Sequence, residues 1–370
     1  MAKILVISHY TRSLLNFRGE LIKTLVRRGH EVFAFGPEKG FEKEIAKLGA
    51  SFVPIRLQRS SVNPLEDFMT FRELLTLIRN IRPDVVFSYA IKPVIYGSLA
   101  AGIAKVPRIY SLITGLGYAF VNESIKQKLL NKGVVFLYRL ALRYNQVVFF
   151  QNRDDLELFE SLELIGRHTE AVVVNGSGVD LQRFYPASPV CSPLSFILVA
   201  RLIKDKGIIE YAEAARIVKK RHPEVVFRLL GPFDENPNGL SKEVIARWVD
   251  EGIIEYLGET NDVRPFLASS SVFVLPSTYR EGVPRSALEA MAMGRPIITT
   301  DVPGCRETVI HGHNGLLVPP KDVEALVKTM EFFVLHPESI EPMGLESRKI
   351  AEKKFDVHKV NQIMIEKMGL

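Results

Sequence analysis

The chain has 370 residues, which is long for one ordinary core and favours two domains, and its 47% of hydrophobic residues lets each half bury a core. Its two cysteines, Cys191 and Cys305, show no paired spacing, which argues against a disulfide framework and against a zinc site. The net charge of +6 is compatible with nucleic acid, anionic lipid or phosphorylated substrates, and it does not choose among them.

The N-terminal residues read as a first strand rather than a signal peptide, because their apolar run is short and ends in polar residues. No apolar run reaches ~18 residues, so we expect no transmembrane helix. Together with the unpaired cysteines, these features favour a cytoplasmic protein.

The first half of the chain alternates strand-like and helix-like segments. Strands are predicted at Ile4–Ser8, Glu31–Phe35, Ser51–Leu57, Asp84–Ser88, Arg108–Ile113 and Gln146–Phe150. Helices are predicted near residues 16–28, 40–48, 65–80, 93–104, 124–144 and 153–162. Several of the strands are continuous apolar runs, as is typical of parallel strands covered on both faces. The alternation predicts a doubly wound α/β domain.

Two loops at the carboxyl ends of predicted strands carry polar residues, and such edges bind ligands in α/β sheets. In the first loop, Arg12 and Arg18 could meet a phosphate. His9 is a candidate acid, base or polar contact there, although a lone histidine is more often a structural residue. The second loop, Ile113–Phe120, has a threonine and two glycines but lacks the last glycine of a dinucleotide-binding fingerprint.

A segment rich in Pro and Ser, Phe184–Pro193, reads as a linker between the two halves. The second half repeats the α/β alternation. Its strands are predicted near residues 195–200, 225–230, 253–257, 271–275, 296–299 and 316–318.

The stretch from Ser277 to Gly294 follows a short apolar run that predicts a buried strand. Pro284 suits the first turn of a helix and Gly294 its C-terminal cap, so Glu281 falls in a loop and Glu289 inside the helix. The neighbours of Glu289 are apolar on nearly every side, which predicts a buried helix in which an ionised glutamate needs a partner. That partner could be a ligand hydroxyl or a core arginine. The free N–H groups at the helix start also attract phosphate.

The segment Val199–Gly207 runs from a strand end into a helix that we expect to start near Gly207. Arg201 and Lys206 would then project from a loop at the carboxyl edge of the sheet. Two cations there can neutralise a diphosphate leaving group as charge develops on it. A solvated basic loop is the alternative interpretation.

The stretch from Ser277 to Gly294 resembles the signature of family 4 glycosyltransferases, in which two glutamates stand eight positions apart, as Glu281 and Glu289 do. The segments that continue the resemblance are Arg295–Asp301, Pro303-Gly304, Glu307 and His313–Pro319. The likeness covers nearly the whole chain and is strongest from about residue 196 to residue 320.

This resemblance implies the α/β fold called GT-B, two Rossmann-like domains that face each other across a cleft. Residues 1–180 would form the N-terminal, acceptor-binding domain and residues 181–193 the linker. Residues 194–354 would form the domain that binds the nucleotide sugar. Residues 355–370 would form a C-terminal helix that crosses back to the first domain.

The resemblance also implies roles for the motif residues. Arg201 and Lys206 would hold the donor pyrophosphate, Glu289 the ribose hydroxyls and Glu281 the hydroxyls of the donor sugar, with Arg201, Lys206 and Glu281 acting in catalysis. Residues implied near the donor phosphates are Gly282, Val283, Pro284 and Arg285, and those implied near the base are Gly258 and Glu259.

Members of the family transfer sugars with retention of anomeric configuration, by a front-face attack that requires no enzymic nucleophile. The departing phosphate helps to deprotonate the acceptor. No Asp-x-Asp triplet occurs in the chain, so we expect neither a metal nor another cofactor, and the UDP-sugar is a substrate. Many relatives carry a histidine near the reacting carbon where this chain has Thr114–Gly117, which leaves the catalytic base unassigned.

Three segments look like bacterial enzymes that extend undecaprenyl-diphosphate-linked sugars, N-acetylgalactosaminyltransferases of protein glycosylation and capsule assembly among them. They are Leu14–Glu20, Tyr89–Gly97 and Ile113–Tyr118. The implied donor is a UDP-sugar, with N-acetylgalactosamine or a related hexose as the transferred group, and the implied acceptor is a polyprenyl-diphosphate-linked saccharide. Residues expected on the acceptor side are His9, Arg12, Asn16, Arg18, Gly19, Lys92, Thr114, Gly115 and Gly117.

A cationic stripe runs along the predicted helix 124–144. At 100° per residue, its four cations fall within about 60° of one another. They are Lys128, Lys132, Arg139 and Arg143. Such a stripe could lie against anionic lipid, or it could be a solvated face of a helix that Gly133 weakens. A lipid-linked acceptor favours the first interpretation, so we expect peripheral binding at the inner face of the cell membrane.

Two other functions remain open. A glycosyltransferase of the same fold could use a soluble acceptor, as sucrose and glycogen synthases do. The positive charge alone would also fit a nucleic-acid-binding protein, but the basic residues are dispersed and no recognition module is visible.

Overall fold

The computed structural model describes residues 1–58, 63–116, 125–190, 192–234 and 238–370. They form two compact units. The first unit consists of residues 1–178 and 357–370, and the second consists of residues 179–356.

The first unit alternates strands and helices. Its elements in chain order are β1 (Lys3–Ile7), α1 (Thr11–Asn16), α2 (Gly19–Arg27), β2 (Glu31–Gly36), α3 (Glu42–Ala46), β3 (Ser51–Pro54), α4 (Pro64–Ile81), β4 (Val85–Tyr89), a π-helical turn (Pro93–Gly97), α5 (Ser98–Ile103), β5 (Arg108–Ile113), α6 (Ile125–Leu142), β6 (Val147–Phe150), α7 (Arg153–Ser161) and β7 (Glu170–Val173). The strands pair in parallel in the order β3-β2-β1-β4-β5-β6-β7.

Apolar runs account for the central strands of this sheet. Every residue of β4 and of β6 is buried, as expected for strands with helices on both faces. The chain leaves β1 towards β2 on one side, whereas β4 pairs with β1 on the other. A crevice therefore opens at the carboxyl ends of β1 and β4, the kind of switch point at which such sheets bind ligands.

The second unit repeats the same architecture. Its elements are β8 (Ser195–Val199), a 3₁₀ turn (Lys204–Lys206), α8 (Ile208–Arg221), β9 (Val226–Leu230), α9 (Lys242–Asp250), β10 (Glu255–Tyr256), α10 (Arg264–Ala268), β11 (Val272–Leu275), α11 (Arg285–Ala292), β12 (Ile297–Thr300), β13 (Gly315–Val318), α12 (Val323–Leu335) and α13 (Ile340–Lys354). Its six parallel strands have the order β10-β9-β8-β11-β12-β13, which places the switch point between β8 and β11. Two parallel, Rossmann-like units confirm the predicted α/β class.

The last helix, α14 (Val357–Lys367), belongs to the first unit. It buries Val360, Met364 and Ile365 in the same core as β1 and β2. Leu370 is held as well, because the Arg28 guanidinium donates to its backbone oxygen at 2.7 Å. The helix thus completes a core that the N-terminal residues begin.

The structure differs from the predicted elements in three places of the first unit. β7 lies where the sequence predicted no strand, α1 lies in the predicted loop after β1 with the helix predicted at 16–28 confined to α2, and the helix predicted at 93–104 begins with the π-helical turn. The break between α1 and α2 falls at Phe17 and Arg18, between Asn16 and Gly19, two weak helix formers. Within the described ranges, no helix is both long and apolar enough to cross a bilayer.

Candidate active site

The switch point of the second unit brings two motif loops together. One loop follows β8 and carries Arg201 and Lys206, and the other follows β11 and carries Glu281. The loops are joined through the carbonyl of Asp205, which accepts from the Thr278 amide at 2.9 Å and from the Ser277 hydroxyl at 3.1 Å. Charged residues about 75 positions apart in sequence thereby become neighbours.

Two glycines allow backbone segments to approach the loop after β11 closely. Gly207 has φ of +71°, and a Cβ on it would fall 1.9 Å from the carbonyl oxygen of Pro276. Gly304 has φ of +83°, and a Cβ there would fall 2.1 Å from the carbonyl oxygen of Gly282. The Pro303-Gly304 turn also accepts the Glu281 amide at 3.2 Å, so it holds the loop that carries this carboxylate.

Glu281 lies at the centre of a charged cluster. One of its carboxylate oxygens accepts from the Lys206 ammonium and the other from the Ser277 hydroxyl. The same ammonium lies 5.5 Å from the centre of the Tyr279 ring, a cation–π distance. Burial by itself lowers the pKa of Lys206, but the charge and hydrogen bond of Glu281 outweigh it and raise the pKa above its usual value. The lysine therefore keeps its positive charge at neutral pH in spite of its burial.

Arg201 projects further into solvent than Lys206. Its guanidinium pairs with the carboxylate of Asp234, in the loop after β9, and 34% of its side chain is exposed. Arg201 and Lys206 thus supply two cations at one rim of the sheet, each with a carboxylate beside it.

Glu289 lies on the inner part of α11 and has an arginine partner on the same helix. Its carboxylate accepts from Nε of Arg285 at 3.0 Å, one helical turn away. Burial raises the pKa of Glu289, and the Arg285 charge opposes that shift only in part. The fully buried Arg295 donates to the backbone carbonyls of Ser270 and Ala187. The arginine that pairs with Glu289 is therefore Arg285, on its own helix.

The ends of α11 follow the sequence closely. Pro284 has extended backbone angles and occupies the N-cap position, so the helix begins at Arg285 and Pro284 precedes the first turn in which the sequence placed it. Gly294 has φ of +76° just beyond the C-terminal end, as predicted. The backbone of Gly282 to Pro284 therefore leads directly into a helix N-terminus, which favours anions.

Further charged groups lie near Glu289. The charges of Arg183 and Asp262 both act on its carboxylate, and Asp262 in turn forms a two-point pair with Arg264 at 2.8 and 2.7 Å. Gly258 and Glu259 follow β10, and the carbonyl of Gly258 accepts from the Gly231 amide at 2.8 Å. The residues expected near the base and the ribose thus lie at the same edge of the second sheet.

In the first unit, several expected acceptor residues lie at the switch point of the sheet. His9 follows β1 and is half-buried, Arg12 and Asn16 are exposed on α1, and Gly19 is buried at the start of α2. Arg18 is only 1% exposed, with its guanidinium carbon 5.3 Å from the centre of the Tyr89 ring.

Lys92 belongs to a distinctive turn after β4. Ala90 has φ of +69°, which is uncommon for a residue other than glycine, and the π-helical turn follows Lys92. The Lys92 ammonium pairs with Asp67 at 2.7 Å, and the Tyr96 hydroxyl donates to the other oxygen of Asp67 at 2.8 Å. Burial, with the Asp67 hydrogen bond and charge, raises the pKa of Tyr96.

The remaining acceptor candidates follow β5. Thr114 and Gly115 are half-buried there, and Gly115 has φ of +104°. Gly117 lies outside the described residues.

The cationic stripe is exposed. Lys128, Lys132 and Arg139 lie on α6 and Arg143 lies just beyond its end, with all four side chains open to solvent. Arg139 also donates to the carbonyl of Leu162 at 2.9 Å. The neighbouring Phe136 is 56% exposed. The helix passes through Gly133 without a break.

Sequence reasoning missed four residues that shape these clusters. They are Asp67, Asp234, Ser277 and Tyr279. Each lies close to the carboxyl end of a strand or on a helix that packs there, and this position was the one feature of the sequence that could have identified them. Among the described residues, no group of three or more His, Cys, Asp or Glu side chains is placed to hold a metal ion.

The chain matches two family models. Residues 193–334 match the model for glycosyl transferases group 1, and residues 3–152 match the model for glycosyl transferase 4-like proteins. Between them, the two models cover most of both units.

A curated relative matches over most of both chains. It is the N,N'-diacetylbacillosaminyl-diphospho-undecaprenol alpha-1,3-N-acetylgalactosaminyltransferase of Campylobacter jejuni, 30% identical over 333 residues, with 86% of each protein covered. A second relative, the UDP-Gal:alpha-D-GlcNAc-diphosphoundecaprenol alpha-1,3-galactosyltransferase of Escherichia coli, is 27% identical over 76% of this chain and 73% of its own.

A solved structure with the same fold is that of Anabaena HepE in complex with UDP-glucose, with a TM-score of 0.79 over 100% of both chains. At 18% sequence identity, this likeness concerns the fold, which confirms the predicted GT-B architecture. The two family models and the 30% identity to the C. jejuni enzyme show that the chain belongs to the group 1, family 4-like glycosyl transferases and is a glycosyltransferase.

Proposed function

We propose that this glycosyltransferase moves a sugar, N-acetylgalactosamine or a related hexose, from a UDP-sugar to an undecaprenyl-diphosphate-linked saccharide. The observation that carries the proposal is the similarity over 86% of the chain to the C. jejuni enzyme, whose name gives both this acceptor class and this sugar. The E. coli relative has the same acceptor class with a galactosyl donor. The acceptor class is therefore better supported than the donor sugar.

In this proposal, Arg201 and Lys206 stabilise the departing UDP. Charge develops on the β-phosphate as the bond to the sugar breaks, and two fixed cations at one rim would meet it without further reorganisation. The raised pKa of Lys206 supports this role, because the buried lysine stays charged at neutral pH. The start of α11 adds backbone N–H groups for the same phosphates.

Glu281 and Glu289 are proposed to bind the transferred sugar and the ribose of the donor, respectively. Glu281 is proposed to accept from hydroxyls of the transferred sugar, because its carboxylate lies beside Lys206 in the loop. Glu289 is proposed to accept from the ribose hydroxyls, with Gly258 and Glu259 beside the base. Arg183 and Asp262 would then surround the ribose end of the site.

The proposed reaction retains the anomeric configuration. The acceptor hydroxyl attacks from the face that the phosphate leaves, and a phosphate oxygen takes up its proton. No step requires an enzymic nucleophile or a divalent metal, because the two protein cations supply the charge that a metal would otherwise supply.

The first unit is proposed to hold the acceptor. Arg12 and Lys92 are the cations best placed for its diphosphate, since one is exposed after β1 and the other begins the turn after the neighbouring β4. His9, Asn16 and Thr114 would contribute polar contacts at the same edge. The buried Arg18 would not touch the acceptor itself and would instead support Tyr89, over whose ring its guanidinium lies.

The cationic stripe is proposed to bind anionic lipid at the inner face of the membrane. Its four cations are exposed, three on α6 and Arg143 just beyond its end, and the exposed Phe136 lies on the same helix, which suits an interfacial helix. Such binding would bring the first unit to a lipid-linked substrate and would weaken as salt is added.

A transfer assay tests the proposal directly. A panel of UDP-sugars is incubated with the protein and a synthetic polyprenyl-diphosphate-linked sugar, and products are separated by organic–aqueous partition and weighed by mass spectrometry. We expect one added hexose or N-acetylhexosamine in the organic phase. A water-soluble saccharide offered in the same reactions is the competing acceptor, and added mass on it alone would instead establish the alternative, a soluble acceptor.

A further inference from the structure

One end of α4 carries a group of large apolar side chains that lie outside the core. They are Leu65, Phe68 and Met69, each of which is half exposed or more, and we call them the apolar patch. The helix itself is anchored, because the Asn63 side chain accepts from the Leu65 amide at 3.0 Å and the opposite face packs in the core through Leu74. Single exposed apolar residues are common, whereas a contiguous group of them indicates an interaction surface.

Two arginines extend the same side of the helix. At 100° per residue, Arg72 and Arg79 fall within the sector of about 100° that holds the three apolar residues. Both arginines are exposed. Apolar residues followed by cations on one exposed sector are typical of a helix that lies on an anionic bilayer, with the apolar side chains among the acyl chains and the cations at the headgroups.

The apolar patch and the cationic stripe of α6 lie on the same side of the first unit. The parallel register carries Ile7 of β1 across β4 and β5 to Val148 of β6, so these two side chains point to one face of the sheet. Leu74 of α4 packs in the core that contains Ile7, and Leu142 of α6 packs in the core that contains Val148. Tyr96, in the π-helical turn, packs against both cores. The two helices therefore turn their exposed sides the same way.

The patch also lies at the edge of the sheet that we expect to hold the acceptor. Its helix begins after β3, so the first turns of α4 stand at the carboxyl ends of the strands. Asp67, which is close to the patch in sequence but on the inner side of the helix, pairs with the Lys92 ammonium at 2.7 Å. Lys92 is a cation proposed for the acceptor diphosphate. The same end of α4 thus carries the patch on its outer side and contacts the proposed diphosphate site on its inner side.

We propose that the apolar patch inserts into the acyl region of an anionic bilayer while Arg72 and Arg79 meet its headgroups. This gives the protein a second membrane contact, which differs in kind from the proposed binding of the cationic stripe. The inference rests on the proposed lipid-linked acceptor, whose diphosphate lies at the bilayer surface and must be reached there. Salt screens the attraction between cations and headgroups but does not weaken the burial of apolar side chains, so the patch supplies a salt-resistant part of the binding.

Sedimentation with vesicles separates the two contacts. The protein is mixed with vesicles of phosphatidylcholine and phosphatidylglycerol, without acceptor, at ~0.05 M and ~0.5 M salt, where screening is weak and strong, respectively. We expect the triple variant Leu65→Ser, Phe68→Ser, Met69→Ser to bind about tenfold or more weakly at high salt, because three apolar side chains no longer enter the bilayer. Reversal of the four charges of the cationic stripe should instead lower binding at low salt and leave binding at high salt within about twofold of wild type.

The matched control removes an equal set of exposed apolar side chains from the second unit. It is the triple variant Ile310→Ser, Leu335→Ser, Leu345→Ser, at positions that are at least as exposed as Met69. This control should bind vesicles as wild type does at both salt concentrations. Both triple variants change exposed positions only, so their melting temperatures should stay close to that of wild type.

A tryptophan probe reports insertion at the patch itself. The chain has one tryptophan, Trp248, and it is buried in the core of the second unit. Phe68→Trp should therefore add emission that shifts to shorter wavelength when vesicles are added and that phosphatidylcholine with brominated acyl chains quenches. Leu345→Trp, the control probe, should show neither change.

Full retention of high-salt binding by the patch variant, or an unquenched Phe68→Trp probe in vesicle-bound protein, would overturn the inference. A patch variant that binds vesicles normally but needs more acceptor in detergent would overturn it in favour of the polyprenyl chain as the occupant. A wild type that is dimeric by light scattering, with a monomeric patch variant, would overturn it in favour of a second copy. Transfer to a soluble saccharide alone would count against the proposed acceptor and would leave the vesicle measurements readable, because the vesicles contain no acceptor.

Discussion

Replacement of Lys206 by alanine separates the two functions that the structure gives this residue, ion-pair partner and leaving-group cation. Both partners are nearly buried, with 13% of the Lys206 side chain and 8% of the Glu281 side chain exposed. Removal of one partner from a buried pair leaves an uncompensated charge and costs ~3–5 kcal/mol of the free energy of unfolding. For a unit of the size of residues 179–356, this corresponds to roughly 6–20 °C in melting temperature.

Turnover should fall as well, by roughly 10²–10³-fold, the scale on which loss of one preorganised charge stabiliser acts. Thermal unfolding and initial rates with saturating UDP-sugar and polyprenyl acceptor give the two quantities on the same preparation. Combination of Lys206→Ala with Glu281→Ala should restore part of the lost stability, because neither charge is then left without its partner, and should restore none of the rate.

Arg201→Ala is the comparison variant. Its side chain is 34% exposed, so loss of the pair with Asp234 should cost at most ~1 kcal/mol, while turnover should fall as far as in Lys206→Ala. A Lys206→Ala protein that is destabilised but turns over within a few-fold of wild type would refute the leaving-group role and leave the lysine as a structural partner of Glu281.

Four further predictions concern Glu289, its titration, the metal requirement and the cationic stripe. Glu289→Ala should weaken binding of the UDP-sugar by ~1.5–3 kcal/mol, measured by calorimetry on folded protein, because the ribose loses a charge-assisted hydrogen bond, and unchanged affinity would refute the assignment. Since burial raises the pKa of Glu289 above its ordinary value of 4.5, acidification should protonate it and weaken UDP-sugar binding at a higher pH than an exposed glutamate would, and Glu289→Gln should abolish this pH dependence. EDTA should leave the transfer rate unchanged. A rate that EDTA abolishes and that Mg²⁺ or Mn²⁺ restores would contradict the cationic mechanism. Reversal of all four charges of the cationic stripe should reduce sedimentation with anionic liposomes and slow transfer to the lipid acceptor while UDP binding persists, and equal sedimentation would place the membrane contact elsewhere.

The strands and the motif loops could be predicted because their signals are local. Apolar runs marked β4 and β6, and Gly294 marked the end of α11, within the range of a few residues over which periodicity and capping act. The contact between Lys206 and Glu281 could not be predicted in this way. It exists because β8 and β11 are neighbours in the sheet, and strand order is a property of the whole unit.

The same limit applies to residues whose partners lie far away in sequence. Arg18 looked like a loop cation available to phosphate, but the break between α1 and α2 buries it beside Tyr89, a residue of β4. Ser277 gave no signal beyond its place in the motif, since the meaning of its hydroxyl depends on the rotamer of Glu281. The strand β7 was missed although residues 171–174 are apolar, and the structure shows it at the edge of the sheet and only partly buried.

The return of α14 to the first unit sets an order for folding during synthesis. Val360, Met364 and Ile365 fill a core whose other members are made first, so that core keeps an open apolar face until residues 357–370 have left the ribosome. The second unit needs none of these residues and can close earlier, although it is made later than most of the first. The N-terminal unit is thus the last to be completed. Released chains that end at residue 356 should therefore be digested in the first unit sooner than in the second, and equal resistance of both units would contradict this order.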